Sequence, residues 1–222
     1  MSAGRGAFIA FEGCDRAGKS TQVKLLVEAL NKLCIPVEAR AFPDRTTNTG
    51  VLIDDFLSKK NECNLQTIHL IFSANRWECR DNMLKSLRGG TTLIVDRYAS
   101  SGAAYCSATT GNDLFWCKIP DKGLPKPDMT VLLKVSEECQ KSRNNWGNER
   151  FEKQILQQKV AHAFEKLKDD SWCIIDANQD LSKIHSEILE KVLPVIKRVK
   201  DNKIDELYAS NEWRIFDRGH DC

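Results

Sequence analysis

The sequence lacks the long apolar segment that a membrane helix needs. No apolar run approaches the roughly 18 residues that indicate a membrane span. Only six residues precede the first apolar run, which begins at Ala7, and they include Arg5, so no secretory signal is expected. These absences predict a cytoplasmic location and no contact with a membrane.

Excess charge of one sign is also missing. The 222 residues contain 33 Lys and Arg against 31 Asp and Glu, a net charge of +2. This balance argues against a protein that binds nucleic acid mainly through its net charge. A hydrophobic content of 41% argues against disorder. At about 150 residues per domain, the length allows one domain or at most two.

The nine cysteines include no C-x-x-C pair, and their number is odd. Neither a zinc site nor a secreted disulfide framework is typical of such spacing. We interpret the cysteines as reduced thiols that serve as small buried hydrophobes in a reducing cytosol.

Short apolar runs alternate with helix-length segments along the chain. We predict strands at Ala7–Phe11, Val37–Phe42, Thr92–Val95, Met129–Leu133 and Cys173–Ile175. Nearly continuous apolar strands separated by amphipathic helices indicate an α/β fold, a doubly wound five-stranded parallel sheet with helices on both faces. Residues 201–222 have mixed charge and little periodicity, so we expect a loosely attached tail there after a domain over residues 1–200.

A phosphate-binding loop is predicted directly after the first strand. Residues 13–20, GCDRAGKS, match G-x-x-x-x-G-K-S, and a helix pattern begins at Thr21. In this context the backbone N–H groups and the helix N-terminus cradle phosphates, as in P-loop NTPases. Lys19 is expected to reach the β- and γ-phosphates, and the Ser20 hydroxyl to bind Mg²⁺.

Two residues of this loop exceed what the motif requires. Asp15 places a carboxylate among phosphates, which is unfavourable unless it binds another group such as a sugar hydroxyl. Arg16 places a permanent cation where a transferring phosphoryl group develops charge. In the alternative interpretation Asp15 and Arg16 simply pair with each other.

Charged residues also follow the second and third predicted strands. Asp96 ends the run TTLIVD, the usual place for a second Mg²⁺ ligand across the nucleotide crevice. Arg97 follows it, and Arg45 follows the second strand. Arginines at two neighbouring strand ends suit a second phosphate group.

Two other classes of protein compete with a phosphoryl-transfer enzyme. Residues 202–205, NKID, match the guanine-reading motif N-K-x-D of GTPase switches. No predicted strand precedes them, and no D-x-x-G follows the third strand, so we interpret the match as chance. A non-enzymatic ATP-binding module would need no second phosphate site, so the paired arginines argue against it.

Five segments together resemble the thymidylate kinase family of the eukaryotic and poxviral type. They are FEGCDRAGKSTQ, FPDRTTNTG, FSANRWE, LIVDRYASSGAAY and GLPKPD, and the similarity runs from about residue 5 to about residue 200. The resemblance implies transfer of the ATP γ-phosphoryl group to dTMP, giving dTDP, with Mg²⁺. It also implies a helical lid at about residues 136–150 and a homodimer.

The resemblance implies a role for each matching residue. Catalysis falls to Arg16, Lys19, Asp96 and Arg97, and Mg²⁺ binding to Ser20 and Asp96. ATP binding falls to Gly13, Arg16, Ala17, Gly18, Lys19, Ser20, Thr21, Arg143 and Gln179, with Arg143 stacking on adenine. dTMP binding falls to Asp15, Phe42, Arg45, Phe72, Arg76, Arg97, Ser101, Gly102, Tyr105 and Phe151.

Within that set, Phe72 resembles the aromatic residue that stacks on thymine, and Arg76 the residue that hydrogen-bonds a thymine carbonyl. Their i, i+4 spacing places both on one helix face, so both can reach one base. Asp15 matches the carboxylate that takes the sugar 3′-hydroxyl. Phe151 stands where relatives often carry Tyr, so no hydroxyl contact is expected from it.

Overall fold

A computed structural model describes residues 4–142 and 150–209. Its five parallel strands form a sheet in the order β2-β3-β1-β4-β5. The strands are β1 (Phe8–Glu12), β2 (Val37–Ala41), β3 (Thr92–Asp96), β4 (Met129–Lys134) and β5 (Trp172–Asp176). The predicted fold class is therefore confirmed, and each predicted strand is present within a residue or two of its predicted bounds.

Helices connect the strands and cover both faces of the sheet. They are α1 (Lys19–Lys32), α2 (Asn48–Leu57), α3 (Leu65–Arg88), α4 (Ala99–Thr110), α5 (Leu114–Lys118), α6 (Glu137–Ser142), α7 (Gln154–Leu167) and α8 (Leu181–Arg198), with a short 3₁₀ helix at Ile119–Asp121. Within the described ranges, no helix combines the length and apolar character that crossing a membrane requires.

The central strand β1 is buried on both of its faces. Phe8 and Ala10 pack on the side covered by α3, whereas Ile9 and Phe11 pack on the side covered by α1 and α8. Alternate side chains of a strand point to opposite faces, so a strand enclosed by two helical layers must be apolar throughout. This is why β1 reads as a continuous apolar run.

The parallel arrangement brings the candidate residues to one edge of the sheet. In the strand register, Asp96 at the end of β3 lies opposite Phe11 of β1 and Ala41 of β2. The loops that follow β1, β2 and β3 therefore emerge side by side. Ligands of open α/β sheets bind at such carboxyl ends.

The first part of the predicted tail is attached, and the expectation of a loose segment is wrong for residues 201–209. The Leu207 N–H donates to the Leu124 carbonyl (2.7 Å), and the Lys126 N–H donates to the Asp205 carbonyl (2.7 Å). Leu207 is also buried against the core. Residues 202–205 thus lie beside the chain entering β4, at the opposite end of the sheet from the phosphate loop, where they cannot read a guanine. The tail beyond residue 209 lies outside the described residues.

Candidate active site

A cleft of about 940 Å³ opens at the carboxyl ends of β1, β2 and β3. The predicted phosphate loop and the predicted base-binding helix face contribute to this same cavity. The predicted site residues that line it are Asp15, Arg16, Ala17, Gly18, Lys19, Ser20, Thr21, Phe42, Arg45, Phe72, Arg76, Asp96, Arg97, Ser101, Gly102, Tyr105 and Phe151.

The phosphate loop has the backbone that its two glycines predict. Gly13 and Gly18 have φ values of 139° and 95°, which residues with a side chain rarely adopt. A Cβ atom on Gly13 would lie 2.6 Å from the Leu133 carbonyl oxygen, so this position also requires the absence of a side chain. The loop therefore wraps closely against β4.

Lys19 lies beneath the loop, where its ammonium donates to the carbonyl oxygens of Gly13 (3.1 Å) and Cys14 (2.7 Å). Its side chain is buried. Desolvation, together with repulsion from Arg97, lowers the pKa of Lys19 to about 8. An anionic phosphate in the loop would offset both effects, so the site gains its full positive charge when the ligand arrives.

Ser20 and Asp96 form the oxygen pair predicted to hold Mg²⁺. The Ser20 hydroxyl donates a short hydrogen bond to Oδ2 of Asp96. The other oxygen, Oδ1, is buried and has no hydrogen-bond partner among the described residues. Mg²⁺ prefers oxygen ligands and is usually held by one or two protein groups plus water and substrate phosphates. This donor set fits that ion. Residues 4–142 and 150–209 contain no group of three or more His, Cys, Asp and Glu that could hold a metal by themselves.

Arg97 extends from the strained turn that follows β3. Its φ is 64°, a left-handed conformation that is uncommon for a residue other than glycine and that clusters at functional sites. The guanidinium donates to Asp15 and to the carbonyl of Gly13 (3.1 Å), and it lies 5.4 Å from the Tyr105 ring centre. These contacts hold a permanent cation beside the phosphate loop.

Asp15 pairs with Arg97 rather than with Arg16, so the alternative of an Asp15–Arg16 pair is wrong. Its second carboxylate oxygen accepts from Nε2 of Gln157 (2.6 Å), and its backbone N–H donates to Oε1 of the same side chain (2.8 Å). Gln157 is buried on α7 and was not identified from the sequence. Gln140 on the lid helix α6 also donates to the Asp15 carbonyl (2.6 Å).

Arg16 stands at the apex of the phosphate loop with a φ of 62°. Its Nε and Nη2 atoms donate to Oε1 of Glu152 at 2.9 and 2.8 Å, and Glu152 is buried. Glu152 was not identified from the sequence. The ion pair fixes the direction in which the Arg16 side chain leaves the loop.

The loop after β2 is held by Asn75 of α3. Asn75 accepts from the Asp44 N–H (2.8 Å) and donates to the Asp44 carbonyl (3.0 Å) and to the Thr47 hydroxyl (2.8 Å). Asn75 belongs to the motif FSANRWE, but no role for it was predicted from the sequence. Arg45, carried by the same loop, pairs with Asp54 of α2 and is partly exposed in the cleft.

The base end of the cleft contains Phe72 and Arg76, one helical turn apart on α3. Nε and Nη2 of Arg76 donate to the two carboxylate oxygens of Asp121 at 2.9 and 2.7 Å. Ser73 donates to the same carboxylate (2.7 Å), and both members of the ion pair are buried. Asp121 was not identified from the sequence. A side chain on Gly102 would meet Nη2 of Arg76 at 2.6 Å, so glycine leaves room for this guanidinium.

Glu12, the last residue of β1, holds the turn that carries Arg97. Its carboxylate is fully buried and accepts from the N–H groups of Tyr98 (3.0 Å) and Ser101 (3.0 Å) and from the Ser101 hydroxyl. Burial raises the pKa of Glu12, although these hydrogen bonds and Arg97 oppose the rise. Sequence reasoning missed this residue. A charged residue ending an apolar strand was the available signal.

The remaining predicted residues differ in their placement. Gln179 follows β5 and donates to the Asp176 carbonyl (3.2 Å), but it does not line the cleft. Arg143 lies outside the described residues, as does the lid over residues 143–149. Phe151 packs 5.7 Å from the Tyr105 ring centre. Arg150 is bound to Glu62 and lies over Phe56, so it contacts the α2 side of the molecule and not the phosphate loop.

The fold and this site define a class. A parallel sheet with a glycine loop between β1 and α1, a buried lysine beneath the loop and a serine–aspartate oxygen pair is the nucleotide-binding arrangement of P-loop NTPases. Arginines on both neighbouring loops, together with Phe72 and Arg76 farther along the same cleft, leave room for a second ligand beside the nucleotide.

Comparison with known proteins agrees with this class and narrows it. Residues 11–188 match the model of the thymidylate kinase family. The chain is 42% identical to the thymidylate kinase of Danio rerio, over 94% of this chain and all of that protein. It is 46% identical to the thymidylate kinase of Arabidopsis thaliana, over 90% of this chain and 75% of that protein.

A solved structure gives the same result. The thymidylate kinase of Candida albicans superposes with a TM-score of 0.81 at 35% identity, covering 86% of this chain and 93% of that one. The chain belongs to the thymidylate kinase family. The predicted family and the predicted enzyme class are thereby confirmed.

Proposed function

We propose that this protein transfers the γ-phosphoryl group of ATP to dTMP, with ADP and dTDP as products. One observation supports this most strongly. Arg76, a buried arginine held by Asp121, lines the same cleft as the phosphate loop, and so does Phe72, one helical turn away on α3. An enzyme that only hydrolyses a nucleotide needs no second base pocket.

The base pocket suits thymine because of the hydrogen-bonding groups that remain available. Two of the three nitrogens of the Arg76 guanidinium are occupied by Asp121, and Nη1 has no hydrogen bond to a described residue. Nη1 therefore presents donors only, which match a carbonyl oxygen of thymine. Phe72 offers an apolar face for the ring.

The acceptor phosphate would lie between Arg97 and Arg45. Both residues line the cleft and follow neighbouring strands β3 and β2. Asp15 of the phosphate loop contacts Arg97 and Gln157, and from there its carboxylate can take a sugar hydroxyl of the acceptor. The acceptor would thus lie with its base at α3 and its phosphate toward Lys19.

The reaction needs no covalent enzyme intermediate, because an oxygen of the dTMP phosphate is itself the nucleophile. The protein supplies alignment and positive charge for a transition state in which charge spreads over the transferring group. Lys19 and Arg16 approach that group from the loop. Ser20 and Asp96 would hold Mg²⁺, which supplies charge neutralisation at the β- and γ-phosphates when bound.

We also propose that two copies associate through a face of α3. Leu70 and Trp77 are seven residues apart on one side of this helix, and they are 48% and 38% exposed. Trp77 donates to the Pro120 carbonyl (2.8 Å), which joins this face to Ile119, itself 43% exposed. Leu70→Glu is expected to halve the mass measured by light scattering. Ile155→Glu on α7, where Ile155 is 72% exposed, is the matched control and should not change it.

The described cysteines are all free thiols. This supports the expected cytoplasmic location, since disulfides are rare in reducing compartments.

Label transfer tests the proposed reaction. Incubation with dTMP and ATP labelled in the γ-phosphoryl group should place the label in dTDP, identified by chromatography. Arg97→Ala should lower kcat/KM about tenfold to a hundredfold or more, because a charge-assisted contact to phosphate is lost. Arg88→Ala, which removes an exposed arginine at the end of α3, is the control and should leave the rate unchanged. Label appearing only in inorganic phosphate would refute the proposal.

A further inference from the structure

One buried glutamine, Gln157, faces the phosphate loop from the inner side of helix α7. It is 3% exposed, and the other buried residues of that helix are Val160, Ala163 and Phe164, which are apolar. Burying an amide costs free energy unless the amide makes its hydrogen bonds. The partners of Gln157 therefore indicate what a polar side chain does at this position.

The hydrogen bonds of Gln157 fix the orientation of its amide. Oε1 accepts from the Asp15 backbone N–H (2.8 Å), whereas Nε2 donates to Oδ2 of Asp15 (2.6 Å) and to the Phe151 carbonyl (3.0 Å). A backbone N–H only donates, and an ionised carboxylate and a carbonyl only accept. A flipped amide would lose all three bonds. The amide is thus matched to Asp15 at both of its ends.

The carboxylate of Asp15 is held from two sides. Arg97 donates to Oδ1 and Gln157 donates to Oδ2. The main chain of Asp15 is held as well, because Gln140 of α6 donates to its carbonyl (2.6 Å). Each oxygen of an ionised carboxylate can accept about two hydrogen bonds, so capacity remains for a ligand. Asp15 lines the cleft and presents there an acceptor whose direction is already set.

The two partners of this carboxylate are not equivalent. Arg97 lines the cleft, and the acceptor phosphate proposed above would share its guanidinium with Asp15. Gln157 does not line the cleft, so a bound ligand does not compete for its amide. When the acceptor is bound, Gln157 is therefore the partner that keeps Asp15 in place.

We propose that Gln157 is a positioning residue that fixes the Asp15 carboxylate for the 3′-hydroxyl of the acceptor sugar, and that it thereby sets the preference for acceptors carrying this hydroxyl. A carboxylate that is already fixed loses little freedom when the hydroxyl binds, which favours binding. The hydroxyl contact belongs to the proposed function, and the role of Gln157 rests on it.

Two acceptors that differ by one hydroxyl test this role. The ratio kcat/KM is measured with dTMP and with 3′-deoxy-dTMP, which lacks only the 3′-hydroxyl. The unaltered protein should prefer dTMP at least about tenfold, because the analogue forfeits a hydrogen bond to a charged group. Gln157→Met is neutral and of similar length. It should lower kcat/KM for dTMP about tenfold and for 3′-deoxy-dTMP less than about threefold, with the KM for ATP nearly unchanged.

Gln158→Met is the matched control at the next position of α7. Gln158 is exposed, and its amide donates to Glu137 instead of Asp15. The preference for dTMP should therefore stay as it is in the unaltered protein. Thermal unfolding shows whether each variant is folded. Gln157→Asn provides a second test, because its amide is one methylene too short to keep both contacts with Asp15, and it should weaken the preference as Gln157→Met does.

A double-mutant cycle shows whether Gln157 acts through Asp15. Once Asp15→Ala has removed the carboxylate, adding Gln157→Met should change kcat/KM for dTMP less than about threefold. An equal loss with and without the Asp15 carboxylate would overturn the proposed role, as would an equal loss for both acceptors in Gln157→Met. Equal use of the two acceptors by the unaltered protein would also overturn it while leaving the proposed reaction in place. Phosphorylation of neither acceptor would refute the proposed function itself.

Discussion

Asp121→Asn tests whether a buried carboxylate holds the arginine that recognises the base. Asn keeps the volume of Asp121, but its amide group faces Nη2 of Arg76, a donor, and leaves the guanidinium unpaired where it is 2% exposed. Breaking a buried ion pair by removing one partner costs about 3–5 kcal/mol. In a chain of this size that lowers Tm by roughly 10 °C. The loss of one charge-assisted contact to the base should raise the KM for dTMP about tenfold to a hundredfold.

Asp81→Asn is the matched control on the same helix. It makes the same chemical change in the exposed Arg80–Asp81 pair, where Asp81 is 91% exposed, and exposed pairs contribute about 0–1 kcal/mol. Thermal unfolding and initial rates, with dTMP and ATP varied separately, distinguish the two variants. The KM for ATP should stay constant in both. If Asp121→Asn behaved like Asp81→Asn in Tm and in the KM for dTMP, the pairing would not position Arg76.

Three further predictions concern the phosphate loop and its support. Arg16→Gly should lower kcat at least about a hundredfold with little change in the KM for ATP. Lys141→Ala on the lid helix should lower kcat far less. The opposite ranking would assign the catalytic cation to the lid. Because the pKa of Lys19 is about 8 in the free site, ATP binding at pH 8.5 should take up protons, as calorimetry in buffers of different ionisation enthalpy can measure. Binding without proton uptake would contradict this. Burial raises the pKa of Glu12 above its ordinary value of 4.5, so the folded protein holds this proton more tightly than the unfolded chain does. The free energy of unfolding therefore falls as the pH rises from about 4.5 through the pKa of the folded state. Glu12→Gln should remove this loss in urea unfolding at a series of pH values, and an unchanged pH dependence would contradict the burial argument.

The strands and the phosphate loop were predictable because their signals are local. A strand such as β1, buried on both faces, must be apolar throughout, and the glycine loop that follows it has fixed spacing. The positions of Arg45 and Arg97 also followed from the sequence. Each stands just past a strand, and parallel strands bring their carboxyl ends to one edge.

The partners of these residues could not be found in the same way. Gln157 bonds to Asp15 across 142 residues of sequence, and Asp121 binds Arg76 across 45. A glutamine in a helix or an aspartate in a turn carries no local mark of such a contact. Side-chain patterns also missed the attachment of residues 201–209, because backbone hydrogen bonds to the segment before β4 hold them.

The preferred phosphate acceptor decides whether the cleft is a dTMP site. ADP release is measured with ATP and each of dTMP, dUMP, UMP, dAMP, GMP and thymidine, and kcat/KM is compared. We expect dTMP to be the best acceptor, and we expect Arg76→Ala to reduce this preference while ATP binding is retained. Phosphorylation of thymidine in place of dTMP, or binding of GTP without any phosphorylated acceptor, would contradict it.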